Sequence, residues 1–120
     1  MPETEVILFA EADASVPLLK WLDRLTPKAQ IKSIAKIERL AAMGHELRRP
    51  EADYLRDGIH ELRVSLQGIQ YRILYFFHGK QAVISHGIIK KGSVEPREID
   101  LASRRKIMFE DDPENHVYRE

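Results

Sequence analysis

The sequence predicts a single α+β domain in which a strand and two helices precede a three-stranded antiparallel meander and a C-terminal helix. Three runs rich in β-branched and aromatic side chains carry this prediction, at residues 59–66, 70–77 and 81–89. Short links that contain glycine join them, Gln67-Gly68 and His78-Gly79-Lys80, as tight hairpins require. Apolar and polar residues alternate in the first run. The second is almost entirely apolar, which predicts a central strand covered on both faces.

The segment before the meander predicts one strand and a helical hairpin. Residues 5–10, EVILFA, form a short apolar run that we expect to join the sheet. Ser15 followed by Pro17 predicts a capped helix start, and Thr26-Pro27 ends that helix and begins a second one. The second helix is expected to run to about Met43, because the glycine that follows is suited to a C-cap.

Apolar spacing predicts which faces of these helices are buried. Leu18, Leu22 and Leu25 recur at helical spacing in the first helix, and Trp21 beside them is expected to pack. In the second helix, the same reasoning predicts a buried stripe formed by Ile31, Ile34, Ile37 and Ala41.

The remaining segments are predicted to be irregular apart from one helix. Residues 45–58 are expected to form a loop from which Tyr54-Leu55 turns into the core. The last helix is predicted at about 96–109, because a proline begins it and a glutamate lies in its first turn. We therefore predict one domain over residues 1–109, followed by a frayed or extended acidic tail over residues 110–120.

Charge and composition narrow the classes of function. The net charge is zero, but residues 60–106 hold nine Lys/Arg against four Asp/Glu, whereas residues 107–120 hold one against five. A basic surface of this kind suits either a phosphate-rich partner or ordinary solvation. The absence of cysteine excludes disulfides, thiolate nucleophiles and cysteine-based zinc sites. No apolar run approaches the length of a membrane span, and we expect a cytoplasmic protein.

Cleavage of RNA without a cofactor or metal is the chemistry that the available residues permit. The sequence has no GxSxG, HExxH or P-loop motif, and its histidines lack helical metal-ligand spacing. RNA supplies its own nucleophile, the 2′-OH, so that a protein need only position the strand, move a proton and stabilise charge on the phosphate. Arg63, Arg72, Lys90 and Lys91 could supply these roles from one end of the sheet.

Two of the candidate residues have competing interpretations. Arg72 lies inside an apolar strand, where a guanidinium must either form a structural salt bridge or bind an anion. His86 is either a general acid or base near phosphate or a hydrogen-bonded strand histidine.

Several motifs, taken in this order of elements, resemble the RelE/ParE superfamily of toxins from type II toxin–antitoxin pairs. The similarity is greatest to its HigB-like, phage-derived branch and covers the chain to about residue 109. The motifs are Trp21-Leu22, LRDGIHELRV at 55–64, YRILYFF at 71–77, HGIIKK at 86–91, and PREI followed by Ala102 and Arg104. The resemblance implies a RelE-like fold whose sheet holds mRNA in the ribosomal A site and cleaves it through 2′-OH attack without metal.

The resemblance also implies roles and partners. Arg72 would bind the scissile phosphate, and Lys90 and Lys91 would hold transition-state charge or act as general base and acid. His86 joins this catalytic set on its position in the third strand, not on the resemblance. The residues predicted to bind RNA are Arg63, Arg56, Lys80 and Arg105. The expected partners are the ribosome, mRNA, a cognate helix-turn-helix antitoxin and, in a homodimer, a second copy of the chain.

Two departures from the family pattern keep other functions open. Residues 92–103 contain no tyrosine, although RelE-type enzymes often have a catalytic one after the last strand. Val94-Glu95 stands where the HigB-like branch usually has a Lys-Thr pair. The alternatives are a non-catalytic, ParE-like toxin that inhibits gyrase and an inactive phage-derived protein with the same fold.

Overall fold

The computed structural model describes residues 4–118, so the first residues of the predicted domain and the last two of the predicted tail lie outside the described range. Three helices and a five-stranded sheet form a single compact domain. The strands are β1 (Glu5–Leu8), β2 (Ala52–Arg56), β3 (Ile59–Leu66), β4 (Ile69–His78) and β5 (Gln81–Lys90). The helices are α1 (Pro17–Asp23), α2 (Pro27–Met43) and α3 (Pro96–Asp111), with short 3-10 turns at Gly44–Glu46 and Pro113–His116.

The sheet has the strand order β1-β5-β4-β3-β2, in which β1 is parallel to β5 and all other neighbours are antiparallel. This confirms the antiparallel meander and the central position of β4. Gln67 and Gly68, with φ of 51° and 80°, form the two-residue turn between β3 and β4 that the sequence predicts.

The sheet is covered on both faces, which explains the continuous apolar run in β4. Helices α1 and α2 pack on one face around Leu18, Leu40 and Ile73, as expected for a helical hairpin. Helix α3 packs on the other face around Phe76 and Phe109. Trp21 fills the space over Gly87, where any Cβ would clash with the indole ring. Among residues 4–118, none of the helices has the length and apolar character needed to cross a bilayer.

Two predictions about the helical hairpin are wrong. The N-cap of α1 is Val16 rather than Ser15, and no side chain caps the helix. Ser15 belongs to the preceding turn, where its backbone N–H donates to Asp13. In α2, the predicted buried stripe fails at Ile31, which is 68% exposed, and at Ile34, which is 47% exposed, whereas Ile37 packs against the core as predicted. The residues that α2 buries are Ala29, Ser33 and Leu40.

Two segments predicted to lack regular structure are ordered parts of the fold. Strand β2 lies within the predicted loop and pairs with β3, and its Tyr54 is 55% exposed rather than buried. The expectation of a frayed tail is also wrong up to residue 118. Val117 pairs with Phe9, and the buried His116 ring donates from Nδ1 to the Ala10 carbonyl at 2.8 Å.

Candidate functional site

The predicted basic residues converge on one end of the sheet because of the strand register. Arg63 on β3 lies directly opposite Arg72 on β4, and Gln70, two residues before Arg72, lies opposite Lys90 on β5. Side chains two residues apart on a strand share a face, so Arg72 and Lys90 project from the same side of the sheet. This is the face that α3 covers at its other end.

Arg72 is a buried member of an ion pair. Its residue is 5% exposed, and its Nε lies 3.3 Å from Oε1 of Glu61, which is 3% exposed. The two atoms are close enough for charge attraction but are misaligned for a hydrogen bond. Arg72 Nη1 donates to the Tyr71 carbonyl at 2.9 Å. Burial lowers the pKa of Arg72, and the Glu61 carboxylate opposes that shift.

Arg63 binds the same carboxylate from the neighbouring strand. Its Nε donates to Glu61 Oε2 at 2.9 Å, and its Nη2 donates to Asp53 Oδ2 at 3.2 Å. Glu61 therefore neutralises part of both guanidinium charges. Arg63 remains about one third exposed, so a ligand can reach it from solvent. A ligand can reach the buried Arg72 only at the rim of a cavity.

A cavity of about 440 Å³ opens beside these arginines at the edge of β3. We call it the basic cavity, and it is lined by Lys32, Lys36, Pro50, Glu51, Arg63, Val64, Ser65, Gln70 and Arg72. The lining residues comprise four cations and one carboxylate. This edge is open because β2 pairs only as far as Leu62, beyond which Lys32 Nζ donates to the Ser65 carbonyl at 2.6 Å.

The carboxylates beside the basic cavity are held in their ionised form. Hydrogen bonds from Arg39 and Lys36 lower the pKa of Glu51 to about 2. A hydrogen bond from Arg49 lowers the pKa of Asp53. These negative charges hold Lys36 and Arg63 in place, so an anionic ligand must compete with them for the cations.

Lys90 and Lys91 line a separate, much smaller cavity of about 70 Å³. Glu95 and Glu98 at the start of α3 also line it, so carboxylates oppose the two lysines there. Gln70 connects the two sites, because it lines the basic cavity and pairs with Lys90 across the sheet.

His86 is the buried centre of a polar network under α3. Its Nδ1 lies 2.7 Å from Ser85 Oγ, its Nε2 lies 3.0 Å from Glu98 Oε1, and Arg105 Nη1 donates to Ser85 Oγ at 3.3 Å. Burial lowers the pKa of His86 despite the hydrogen bond to Glu98. A neutral ring fits if Nε2–H donates to Glu98 and Nδ1 accepts from Ser85. Both ring nitrogens are thereby occupied, which leaves none to accept a proton from a ligand.

The structure does not bring the other three predicted RNA-binding residues to the basic cavity. Arg56 bonds to Asp57 and Asp100 at 2.6 and 2.8 Å. Arg105 is held between α3 and the sheet, where its Nε bonds to Glu11 at 3.0 Å. Lys80 lies in the exposed turn between β4 and β5, at the opposite end of β4 from Arg72.

The basic cavity also contains residues that the predicted site omits, Lys32 and Lys36 on α2. Their spacing of four residues places them on one side of the helix. A solvated face and a ligand-binding face have the same spacing, so only the docking of α2 beside β3 distinguishes the two.

The chain matches a known protein family over more than half of its length. The family described as "Phage derived protein Gp49-like (DUF891)" matches residues 20–106, which include the second half of α1, all of α2, the whole meander and most of α3. No curated protein matches the chain significantly. Within residues 4–118, no cluster of three or more His, Asp or Glu side chains could hold a metal ion.

Proposed function

Because the chain belongs to the phage-derived Gp49-like family, we propose that it is the toxin of a type II toxin–antitoxin pair, related to the HigB-like branch of the RelE/ParE superfamily. Membership of this family is consistent with a toxin-like protein. The specific activity that we propose is cleavage of mRNA on the ribosome. The observation that supports it most directly is the basic cavity, where four cations surround an open space at the edge of the sheet.

The proposed reaction uses the 2′-OH of RNA as the nucleophile and needs no cofactor. Lys32, Lys36 and Arg63 would hold backbone phosphates, since all three cations line the basic cavity and retain solvent access. Arg72 would stabilise charge that develops on the scissile phosphate at the cavity rim. Its ion pair with Glu61 would keep the guanidinium in a fixed orientation before RNA arrives.

Proton transfer falls to Lys90 and Lys91 in this proposal. The buried His86 has both ring nitrogens engaged, so its role is to position Glu98 next to the lysines. Lys90 shares a sheet face with Arg72, whereas Lys91 follows the end of β5 and is exposed. Lys90 is therefore better placed to act on a phosphate that Arg72 contacts.

A cell-free translation extract tests this proposal directly. The purified wild-type protein should cut mRNA during translation, and the cut sites can be mapped by primer extension. Lys90→Ala should reduce the cleavage rate on the order of 100-fold, as expected for the loss of a group that transfers a proton. Lys91→Ala should reduce it less. Lys28→Ala, an exposed lysine on α2 outside the cavity lining, is the control.

A second candidate function is a non-catalytic toxin that inhibits gyrase. The observation that favours it is the engagement of the candidate catalytic groups, with Arg72 paired to Glu61 and His86 bonded at both nitrogens. In this case, the protein would block DNA supercoiling by purified gyrase and leave mRNA intact in the extract.

The proposal includes a cognate helix-turn-helix antitoxin as partner. Co-expression of an antitoxin gene that neighbours the gene for this chain should restore growth. Continued growth arrest, with the two proteins failing to co-purify, would contradict this part of the proposal.

A further inference from the structure

A second cavity lies next to the basic cavity, on the other side of residues 48–53. We call it the His60 pocket. It has a volume of about 380 Å³, and its lining includes His45, Arg48, Arg49, Tyr54 and His60. That volume falls in the range of roughly 300–1,000 Å³ that is typical of small-ligand sites.

Ion pairs connect residues that line the two cavities. Asp53 lines the His60 pocket and binds Arg49 at 2.9 Å and Arg63 at 3.2 Å. Arg63 lines the basic cavity, where Pro50 and Glu51 from the same segment also lie. A single extended ligand could therefore contact both cavities.

Aromatic rings run from the core to the surface through the His60 pocket. His60 stacks on the buried Tyr75, with ring centroids 5.2 Å apart and an interplanar angle of 22°. Tyr54 meets the His60 ring edge-on at 5.0 Å and is 55% exposed. His45 stacks on Phe77 with centroids 3.6 Å apart. The rings of Tyr54 and His45 are thus held in position by those of His60 and Phe77, and they remain accessible to a flat ligand.

Cations stand at the rim of these rings. Arg48 is exposed, and within residues 4–118 no carboxylate lies within salt-bridge distance of it. In the same range of residues, the only hydrogen bond of its guanidinium is at 3.5 Å, from Nε to the Glu46 carbonyl. Burial lowers the pKa of His60, and the neighbouring His45 adds to this shift, so the ring is neutral at neutral pH.

We propose that the His60 pocket binds one unpaired base of a single-stranded RNA, stacked on Tyr54, with an adjacent phosphate on Arg48. Aromatic rings beside cations are the usual means by which proteins hold single strands. The strand would continue over residues 48–53 to place further phosphates in the basic cavity. This inference rests on the proposed function, because it assigns a second contact for the same RNA.

The test compares two probes labelled with the same dye, a short oligoadenylate and an abasic ribose–phosphate chain of equal length. Fluorescence anisotropy measures their affinity for the whole protein. Stacking of one base typically contributes about 1–3 kcal/mol, so the wild-type protein should bind the oligoadenylate roughly fivefold or more tightly than the abasic chain.

The decisive variants are Tyr54→Leu and Tyr54→Phe. Both remove the hydroxyl that accepts the Gly58 backbone N–H, but only Tyr54→Phe keeps the ring. Tyr54→Leu should lose the preference for the oligoadenylate, and Tyr54→Phe should retain it. Arg48→Ala should weaken both probes equally. Tyr118→Ala, an exposed tyrosine beside β1 at the opposite edge of the sheet, is the control for a lost ring.

The outcomes separate this inference from the proposed function. If Tyr54→Leu binds both probes as the wild-type protein does, the base-binding role of the His60 pocket is wrong while RNA binding by the basic cavity stands. If Tyr54→Phe loses the base preference as fully as Tyr54→Leu, the ring is not the contact. If the wild-type protein binds neither probe, the proposed RNA contact of the basic cavity fails, and this inference fails with it.

Discussion

Glu61 is the residue on which the charge balance of the basic cavity depends. Its carboxylate is 3% exposed and lies between Arg63 and Arg72 on two adjacent strands. A buried carboxylate is tolerated only when cations compensate it, and the same holds for a buried guanidinium. The three residues therefore form one unit. When one of the three is removed, the remaining charges differ in the contacts that still compensate them.

This difference predicts an asymmetry between two substitutions. In Arg72→Gln, Glu61 keeps its 2.9 Å bond to Arg63, so the loss of stability should fall below the ~3–5 kcal/mol typical of breaking a buried pair. In Glu61→Gln, Arg72 keeps only the Tyr71 carbonyl, and the loss should reach that range. Urea unfolding of both variants measures the two losses. Equal losses, or a larger one for Arg72→Gln, would show that the charges are not coupled as described.

His86 gives the protein a predictable response to mild acid. Its pKa is lowered by burial in the folded state, so the unfolded chain binds a proton at higher pH than the folded chain does. Stability should therefore fall as the pH drops from 7.5 to 5.5, past the ordinary histidine value of about 6.5. His60, whose pKa burial also lowers, should add to the loss.

Chemical denaturation across this pH range checks the prediction. His86→Gln and His60→Gln should each flatten the dependence on pH. Carboxylates such as Glu51, whose pKa is about 2, contribute stability that is lost only at lower pH and do not interfere in this window. A wild-type protein that becomes more stable on acidification to pH 5.5 would contradict the assignment of neutral histidines.

At the scale of elements, α2 shows why apolar spacing alone misplaces a helix face. Ala29, Ser33 and Leu40 face the core, and the two small residues let the helix approach the sheet closely. The larger isoleucines at 31 and 34 lie outside. A count of aliphatic side chains cannot identify a face that is selected by fit to the sheet rather than by hydrophobicity.

The two faces of α2 should respond differently to substitution. Ile31→Lys should leave the thermal midpoint close to that of the wild-type protein, because Ile31 is 68% exposed. Leu40→Ala should cost about 2–5 kcal/mol, because Leu40 is fully buried and its loss leaves a cavity. Differential scanning calorimetry of both variants measures the two changes in stability. A severe loss of stability in Ile31→Lys would mean that α2 is rotated from the position described.

Strand β2 could have been predicted from its turn but not from its composition. Asp57 and Gly58, with φ of 54° and 81°, form the same kind of turn as Gln67 and Gly68, and Asp-Gly is a strong hairpin signal. The strand itself lacks alternation, because a register shift between Tyr54 and Arg56 breaks its pattern. Its pairing therefore depends on β3, which is itself clear from sequence.

At the scale of the whole molecule, the sequence predicts the elements that have a local signal, such as alternating polarity or a turn motif. It misses the contacts between residues that are distant in the chain. The meander, α3 and the central position of β4 follow from alternation and turns. The docking of His116 against Phe9, with ring centroids 5.1 Å apart, joins the two ends of the chain and has no local signal. Only half of the cations in the basic cavity can be predicted from sequence. Strand pairing places Arg63 next to Arg72, whereas the docking of α2 brings Lys32 and Lys36 to the cavity.

The fold also divides one sheet face into a covered part and an open part. Helix α3 covers the part of the face around Phe76. It leaves uncovered the part that carries Arg63 and Arg72, beside the basic cavity. In the proposed function, this open part contacts mRNA. Induced expression in a bacterial host, with genome-wide mapping of mRNA 5′ ends, tests it most directly.

The informative variant for this measurement is the double substitution of Lys32 and Lys36 by alanine, with Lys28→Ala as the matched control on the same helix. The wild-type protein and the control should generate new 5′ ends within translated reading frames. The double variant should lose them with only a small fall in thermal midpoint, because Lys32 is exposed and Glu51 keeps its 2.8 Å pair with Arg39 when Lys36 is removed. Growth arrest with intact mRNA, or cleavage by the double variant at the wild-type level, would contradict the proposal that the basic cavity binds the RNA that is cut.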